Sequence, residues 1–437
     1  MLAWWQTSYL TRWWGQGAAW ASRSALAGRW DAILAGWVAL VLVGLPLLSN
    51  DQLGVLLLGG VVLWLGSLWW SPPQGMGVTA LLYGVTLTLA TAFSPVKRAA
   101  LVGWVKACLY LSTFGALLRG VRRWGQALMV WHLLVALGVA IVGLRQWFFG
   151  AEALATWIDP ESPLASTTRV YSVFGNPNLL AAYLVPGVGM SLGCLFAWRT
   201  WAQRALALTL VVALSSCLVL TGSRGGWLGL AAVYGCFGLL VVGGWWRWRK
   251  HHPLWQQWLF WLGTGCIVAG ALAILGRSEQ LRLRFLSIFA GRADSSNNFR
   301  LNVWAAVLAM IRDYPWLGIG PGNRAFNLIY PLYQRPNFNA LGAYSVPLEV
   351  AVEAGLVGLS AFVALTASIL RRSWRNLASR YAYPYPQTFL LMGLLAGMAG
   401  TMTHGLVDTL WFRPQIQVLW WFNVALVWST YDSSSAS

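Results

Sequence analysis

The chain predicts an all-α polytopic membrane protein with about twelve transmembrane helices and one large polar loop between the ninth and the tenth. Three observations carry that prediction. Apolar runs of about twenty residues, the length that spans a bilayer core, recur along the sequence. Only 10% of the 437 residues are charged while 58% are hydrophobic, where a soluble globular chain carries roughly 25% charged residues. The 31 tryptophans exceed what a core needs and suit a protein with two membrane–water interfaces, where indole rings settle.

The runs lie near 32–49, 53–70, 77–94, 99–118, 126–145, 179–198, 205–222, 225–244, 255–276, 347–370, 387–410 and 415–430. The organisation that follows is a basic, Trp-rich N-terminus at 1–31 and helices one to nine within 32–276. A loop at 277–346, helices ten to twelve within 347–430 and a tail at 431–437 complete it. The pair within 32–70 is Gly-rich and could form a hairpin or a single merged helix. The first apolar run is long enough to remain as an anchor, and no cleavable signal is evident.

Orientation follows from the short loops. Arg119, Arg122 and Arg123, then Arg199 and Arg204, then Arg247, Arg249 and Lys250, and finally Arg371, Arg372, Arg375 and Arg380 fall on one side. The positive-inside rule makes that side cytoplasmic, with both termini there. The same clustering argues against nucleic acid as the reason for the +18 charge. No Walker, Rossmann or HExxH pattern occurs, so nucleotide and cofactor are not expected. Cys108, Cys194, Cys217, Cys236 and Cys266 lie in apolar runs without CxxC spacing, so neither a disulfide framework nor a metal site is expected. His132 reads as a core residue, and His251 and His252 belong to a basic anchor.

The opposite side bears two long loops, 146–178 and 277–346. The second is too long for a mere connection. Its eight arginines do not disturb the orientation, because long loops escape the charge rule. Ser295, Ser296, Asn297 and Asn298 offer helix caps. Leu301, Trp304, Val307, Leu308 and Ile311 then recur at helical spacing, predicting an amphipathic helix that ends before Pro315. Gly318, Gly320, Pro321 and Gly322 predict a turn.

Two arginines invite chemistry. Arg224, in TGSRGGWLG, stands where two spans meet on the loop side, flanked by glycines and at the start of a helix whose dipole favours anions. It makes either an anion site or a guanidinium snorkelling to the interface. Arg300, near the start of the loop helix, opposes the dipole until an anion binds there. It either grips such an anion or pairs with Asp294 or a lipid headgroup. His404 and Asp408 share one helix face, as do Glu349 and Glu353. Ionisable groups at membrane depth are functional candidates, and interhelical hydrogen bonding or dipole compensation would explain them equally.

At these residues the chain resembles the O-antigen ligase and polymerase superfamily of bacterial membrane proteins. Within it the chain looks most like cyanobacterial members labelled bicarbonate or inorganic-carbon transporters. The resemblance rests on FGNPNLLAAYL (174–184), TGSRGGWLG (221–229), the block at 294–326, AYSVPLEVAVEAGLVGL (343–359) and HGLVDTLWFRP (404–414). It implies a twelve-helix bundle in the inner membrane with a periplasmic loop between helices nine and ten. It also implies that Arg224 and Arg300 hold the diphosphate of a polyprenyl-linked saccharide without a metal. Tyr344 occupies the place of the general-base histidine of the ligases, and tyrosine, with a pKa of about 10, is a poor base at neutral pH. Glu349, Glu353 and His404, with Asp408, are the other candidates for catalysis.

Three readings follow from the resemblance and the residues together. The first is metal-independent transfer of a lipid-linked glycan at the outer face of the inner membrane. The second is transport of bicarbonate, or an accessory role in accumulating inorganic carbon, for which a small anion would be the partner. Polar residues at mid-depth for such a path are few beyond His404, Asp408 and Lys106. The third is a ligase-like membrane protein without catalysis, motivated by Tyr344.

Overall fold

The computed structural model describes residues 29–68, 77–150, 169–248, 279–380 and 386–432, together with positions 265, 276 and 277. Among these residues every regular element is helical. Seven helices are long and apolar enough to cross a membrane, so the chain is an all-α polytopic membrane protein. The expected span at 255–276 apart from positions 265 and 276, the N-terminus up to residue 28, residues 151–168 of the first long loop and the tail from 433 lie outside the described residues.

Helices α1 (Trp30–Leu47) and α2 (Asn50–Ser67) are a hairpin and do not merge. Ser49 stops the merger by forming a capping box: its Oγ accepts from the Gln52 N–H, and its own N–H donates to Gln52 Oε1. Trp37 locks the pair by donating its indole N–H to the Leu56 carbonyl at 2.9 Å while its ring lies where a side chain on residue 60 would be. Helix α3 (Val78–Ala92) follows.

The structure then departs from the expected spans. The runs at 99–118 and 126–145 belong to one continuous helix of 53 residues, α4 (Lys97–Phe149). The charge of the intervening RGVRRWG suggests a loop, and the structure makes it helix. It contains no proline, arginine is a good helix former, and two glycines weaken a helix without breaking it. Tertiary contacts supply what a loop would have found in water. Arg119 donates from Nε to Asp31 Oδ1 at 3.0 Å and from Nη1 to the Ser67 carbonyl at 2.8 Å. The middle of α4 thus lies beside the start of α1 and the end of α2. Its two ends meet the polar segments, Gly103 against Pro321 and Gly143 against Val170 and Ser172.

Helices α5 (Pro177–Ala197), α6 (Trp201–Leu220), α7 (Arg224–Trp248), α8 (Glu279–Leu286), α9 (Ser295–Asp313), α10 (Asn323–Ile329), α11 (Val346–Arg380), α12 (Pro386–Gly405) and α13 (Pro414–Asp432) complete the described chain. The core is the packing of α5 against α12 and of α12 against α7. A Cβ on Gly189 of α5 would stand 2.6 Å from the Gly393 carbonyl oxygen of α12. One on Gly229 of α7 would stand 2.9 Å from the Gly400 oxygen. Small residues let the backbones approach, which is how helices associate where lipid removes the hydrophobic driving force.

The long loop builds a second, smaller core. Val303, Val307 and Met310 of α9 pack on Ile319, Phe326, Tyr330 and Val352. Gly318, Gly320 and Gly322 all have positive φ, as the predicted turn requires. The turn also has a structural use: it is wedged into α11, which kinks at Gly355 (φ 66°, ψ −170°). The Ile319 and Gly320 N–H groups donate to the Val352 and Glu353 carbonyls at 2.9 Å, and Leu356 N–H donates to the Pro315 carbonyl at 2.7 Å. Backbone groups freed by the kink are therefore satisfied by the loop.

Candidate functional site

The polar residues gather where α6 ends and α7 begins. After Leu220 the chain turns through Thr221 and Gly222 (φ 60°), and Ser223 accepts the Gly226 N–H on its Oγ to start α7 at Arg224. Arg224 is buried, with 7% of its surface exposed. Its Nη1 donates to Asp294 Oδ1 at 2.8 Å and to the Ser287 carbonyl and hydroxyl at 3.2 and 3.0 Å. A buried arginine at the start of an apolar helix therefore has partners, and all three acceptor atoms come from the long loop.

Asp294 also corrects the reading of the loop helix. The cap of α9 is Asp294, which accepts the Asn297 N–H on the same Oδ1 at 2.8 Å, and not one of residues 295–298. Arg300 consequently stands in the second turn of α9, beyond the free N–H groups of its first turn. The ion pair with Asp294 belongs to Arg224 and not to Arg300. Arg300 lies within electrostatic reach of Asp408, Arg224, Tyr344 and Asp294, and has no hydrogen-bond partner among the described residues. Burial, with Arg224 beside it, holds Arg300 below the ordinary guanidinium value.

Asp408 follows the end of α12 and is 6% exposed. Its Oδ1 accepts the Thr409 N–H at 2.8 Å, and its Oδ2 lies 3.6 Å from His404 Nε2, an ion-pair contact slightly long for a hydrogen bond. Burial pushes the Asp408 carboxyl up, but His404, the Arg300 charge and the Thr409 N–H outweigh it and leave the group below its usual range. Asp408 is therefore an anion at neutral pH. His404 is fully buried and lies where a Cβ on Gly225 would be, so the residue after Arg224 is glycine for room.

Tyr344 enters α11 with a positive φ of 52°, a conformation uncommon for a non-glycine residue. The Thr409 hydroxyl, next to Asp408, accepts its N–H at 2.9 Å, and its ring meets Phe299 edge-on at 5.4 Å. Burial and Asp408 raise its phenol against the opposing pull of Arg300 and Arg413. It stays protonated at neutral pH, a hydrogen-bond donor and not a base. Of the two glutamates, Glu353 is engaged elsewhere: its Oε1 accepts the Gly322 N–H at 2.8 Å, pinning the wedged turn. Glu349 is fully buried with both oxygens unpartnered among the described residues, and it faces Glu353 and Asp408.

Two site residues escaped the sequence reading. Arg169 donates from Nε to the Thr221 carbonyl at 3.0 Å and from Nη2 to Asn178 Oδ1 at 2.8 Å. Arg284 of α8 donates from Nε to the Gly222 carbonyl at 2.6 Å. The usable signal was the FGNPN motif: Asn176 caps α5, Pro177 starts it, and Asn178 is left facing a cation. No group of three or more His, Cys, Asp or Glu suited to a metal occurs among the described residues.

The class is thus a polytopic helical membrane protein whose buried cations and carboxylates collect beneath an amphipathic loop helix. Comparison with known proteins narrows it. Residues 208–363 match the family profile described as O-antigen ligase. That stretch contains Arg224, Arg284, Arg300, Tyr344, Glu349 and Glu353 but ends before His404 and Asp408. The chain is also similar to the O-antigen ligase of Pseudomonas aeruginosa, at 28% identity over 144 residues. The similarity covers 31% of this chain and 31% of that relative. Over part of its length the chain is accordingly a membrane protein similar to O-antigen ligases. The inorganic-carbon side of the expected resemblance has no counterpart in either description.

Proposed function

We propose that this protein binds a polyprenyl diphosphate-linked saccharide at the outer face of the inner membrane and transfers the glycan to an acceptor hydroxyl. One observation carries the reading: Arg224 and Asp408, both buried, and Arg300 and Tyr344, both half-buried, are far apart in sequence and brought within electrostatic reach of one another in a single cluster. In this mechanism the bond between the anomeric carbon and the diphosphate oxygen breaks as the acceptor oxygen bonds to that carbon. The acceptor proton passes to Asp408, and polyprenyl diphosphate leaves. Arg224 and Arg300 neutralise the charge that grows on the leaving group, where fixed charges in a water-poor site act most strongly. Asp408 has an oxygen without a hydrogen bond among the described residues and is already ionised. The protonated Tyr344 phenol donates to the sugar or the phosphate.

The two arginines do not act alike. Arg224 is braced by Asp294 and Ser287, so it is positioned before substrate arrives. Arg300 has no such brace among the described residues, so it is the group that substrate orders.

The test is binding and transfer by the purified full chain with a polyprenyl diphosphate-linked saccharide. Replacing both Arg224 and Arg300 by Ala should abolish transfer and weaken binding at least a hundredfold, about 3 kcal/mol for two charge-assisted contacts. Unchanged binding by the double variant would remove the clamp from consideration. Transfer that survives Asp408→Asn would remove that carboxylate as the base.

A further inference from the structure

The clamp as described uses two guanidiniums, yet two more border it. Arg169 and Arg284 flank Gly222, two residues before Arg224. A Cβ placed on Gly222 would lie 3.3 Å from Arg284 Nε and 3.6 Å from Arg169 Nε. Each is anchored through Nε to a main-chain carbonyl that follows the end of α6. Those bonds fix the planes of the two guanidiniums and leave Nη groups available, both of them on Arg284 among the described residues.

Capping of a helix C-terminus is one account of this arrangement, since cations favour that end. It explains one arginine and not two held side by side beneath the same loop. Four guanidiniums, on Arg169, Arg224, Arg284 and Arg300, act on one another here, with Asp294 and Asp408 to offset them. The excess positive charge is buried at Arg224 and half-buried at the other three, an arrangement that costs stability unless something anionic joins it. Burial, followed by Arg284, pulls Arg169 down to about 9, and burial with Arg224 pulls Arg284 to about 10. Both remain cations at neutral pH.

We infer that Arg169 and Arg284 form a second phosphate subsite beside the Arg224–Arg300 pair, so that the pocket selects a diphosphate over a single phosphate. A lipid diphosphate, with or without its saccharide, carries negative charge on each of two adjacent phosphorus atoms, and each phosphate then meets its own pair of guanidiniums. Planar forks suit this, because each presents parallel N–H groups to phosphate oxygens. The inference rests on the reading that the pocket takes a lipid diphosphate, and its test separates the two.

The full chain in lipid nanodiscs is titrated with a polyprenyl diphosphate, with the matching polyprenyl monophosphate, and with inorganic diphosphate. The wild type should prefer the lipid diphosphate. Arg284→Gln and Arg169→Gln should each lower diphosphate affinity roughly ten- to a hundredfold, the size of a charged hydrogen bond, and leave monophosphate affinity unchanged. Arg224→Gln should weaken both lipids. Retained preference in the two Gln variants, or an equal loss for both lipids, overturns the second subsite and leaves the proposed function standing. A wild type that binds neither lipid overturns both. Inorganic diphosphate that binds as tightly as the lipid keeps the subsite but assigns it to a free anion. Arg169 also braces Asn178 and Thr221, so its Gln variant is checked for monodispersity; where it fails, Arg284→Gln decides.

Discussion

Asp294 holds two jobs on one oxygen, and they can be separated. Oδ1 caps α9 and also pairs with Arg224. Asn caps a helix about as well as Asp, so Asp294→Asn keeps the cap and removes the charge that competes with an incoming anion. Affinity for polyprenyl diphosphate should rise several-fold, roughly 1 kcal/mol for one competing partly buried charge, with the melting temperature little changed. A fall in affinity would show that Asp294 aims Arg224 at substrate and does not compete with it. Asp294→Ala should in addition cost about 1 kcal/mol of stability through the lost cap. Residue by residue, the site was half legible. Arg224 and Arg300 stood out because glycines and a helix start surround them. Arg169 and Arg284 did not, since arginines in a long loop are unremarkable until their partners, the carbonyls of Thr221 and Gly222, are known. Glu353 is a case the sequence left open between chemistry and dipole compensation, and its Oε1 accepts the Gly322 N–H.

At the scale of elements, the wedge of the long loop into α11 makes its own prediction. Gly355 has a φ of 66°, and a Cβ there would fall on the Trp316 carbonyl. Gly355→Ala should destabilise the protein by about 1–3 kcal/mol through backbone strain, before the clash is added. Thermal unfolding in detergent reads the effect, and an unchanged melting temperature would mean that the kink relaxes without the loop. The helices themselves were largely legible from apolar run length. The failure was α4, where charge at Arg119, Arg122 and Arg123 imitated a loop. Charge patterns report where a segment sits relative to lipid. They do not report whether its backbone hydrogen bonds are broken, and Asp31 with the Ser67 carbonyl satisfies Arg119 without breaking them.

The charge excess of the cluster is a property of the whole molecule, because its arginines come from the segment before α5, the start of α7, the helix α8 and the helix α9. Its pH dependence follows. Burial and the neighbouring guanidiniums depress Arg169 and Arg284, yet a guanidinium keeps its proton throughout the range in which proteins stay folded. Anion affinity should therefore hold steady from neutral to mildly alkaline pH and fall with added salt, which screens the attraction. Calorimetric binding heats should not depend on buffer ionisation at mildly alkaline pH. Proton uptake there, or affinity indifferent to salt, would contradict a cluster of permanent cations.

By itself the sequence determined the solvent, most of the helices and the candidates for chemistry. Run length, low charge and interfacial tryptophan are local properties, and lipid enforces them on every span separately. Only the tertiary structure decided which cations act on one another, that Asp294 pairs with Arg224, and that Glu353 braces a turn while Asp408 acts on Arg300. Those facts depend on residues up to hundreds of positions apart meeting in space, and no local pattern encodes the meeting. Glycine at 189, 229, 393 and 400 lets the backbones close to that distance, and the site is what their closeness brings together.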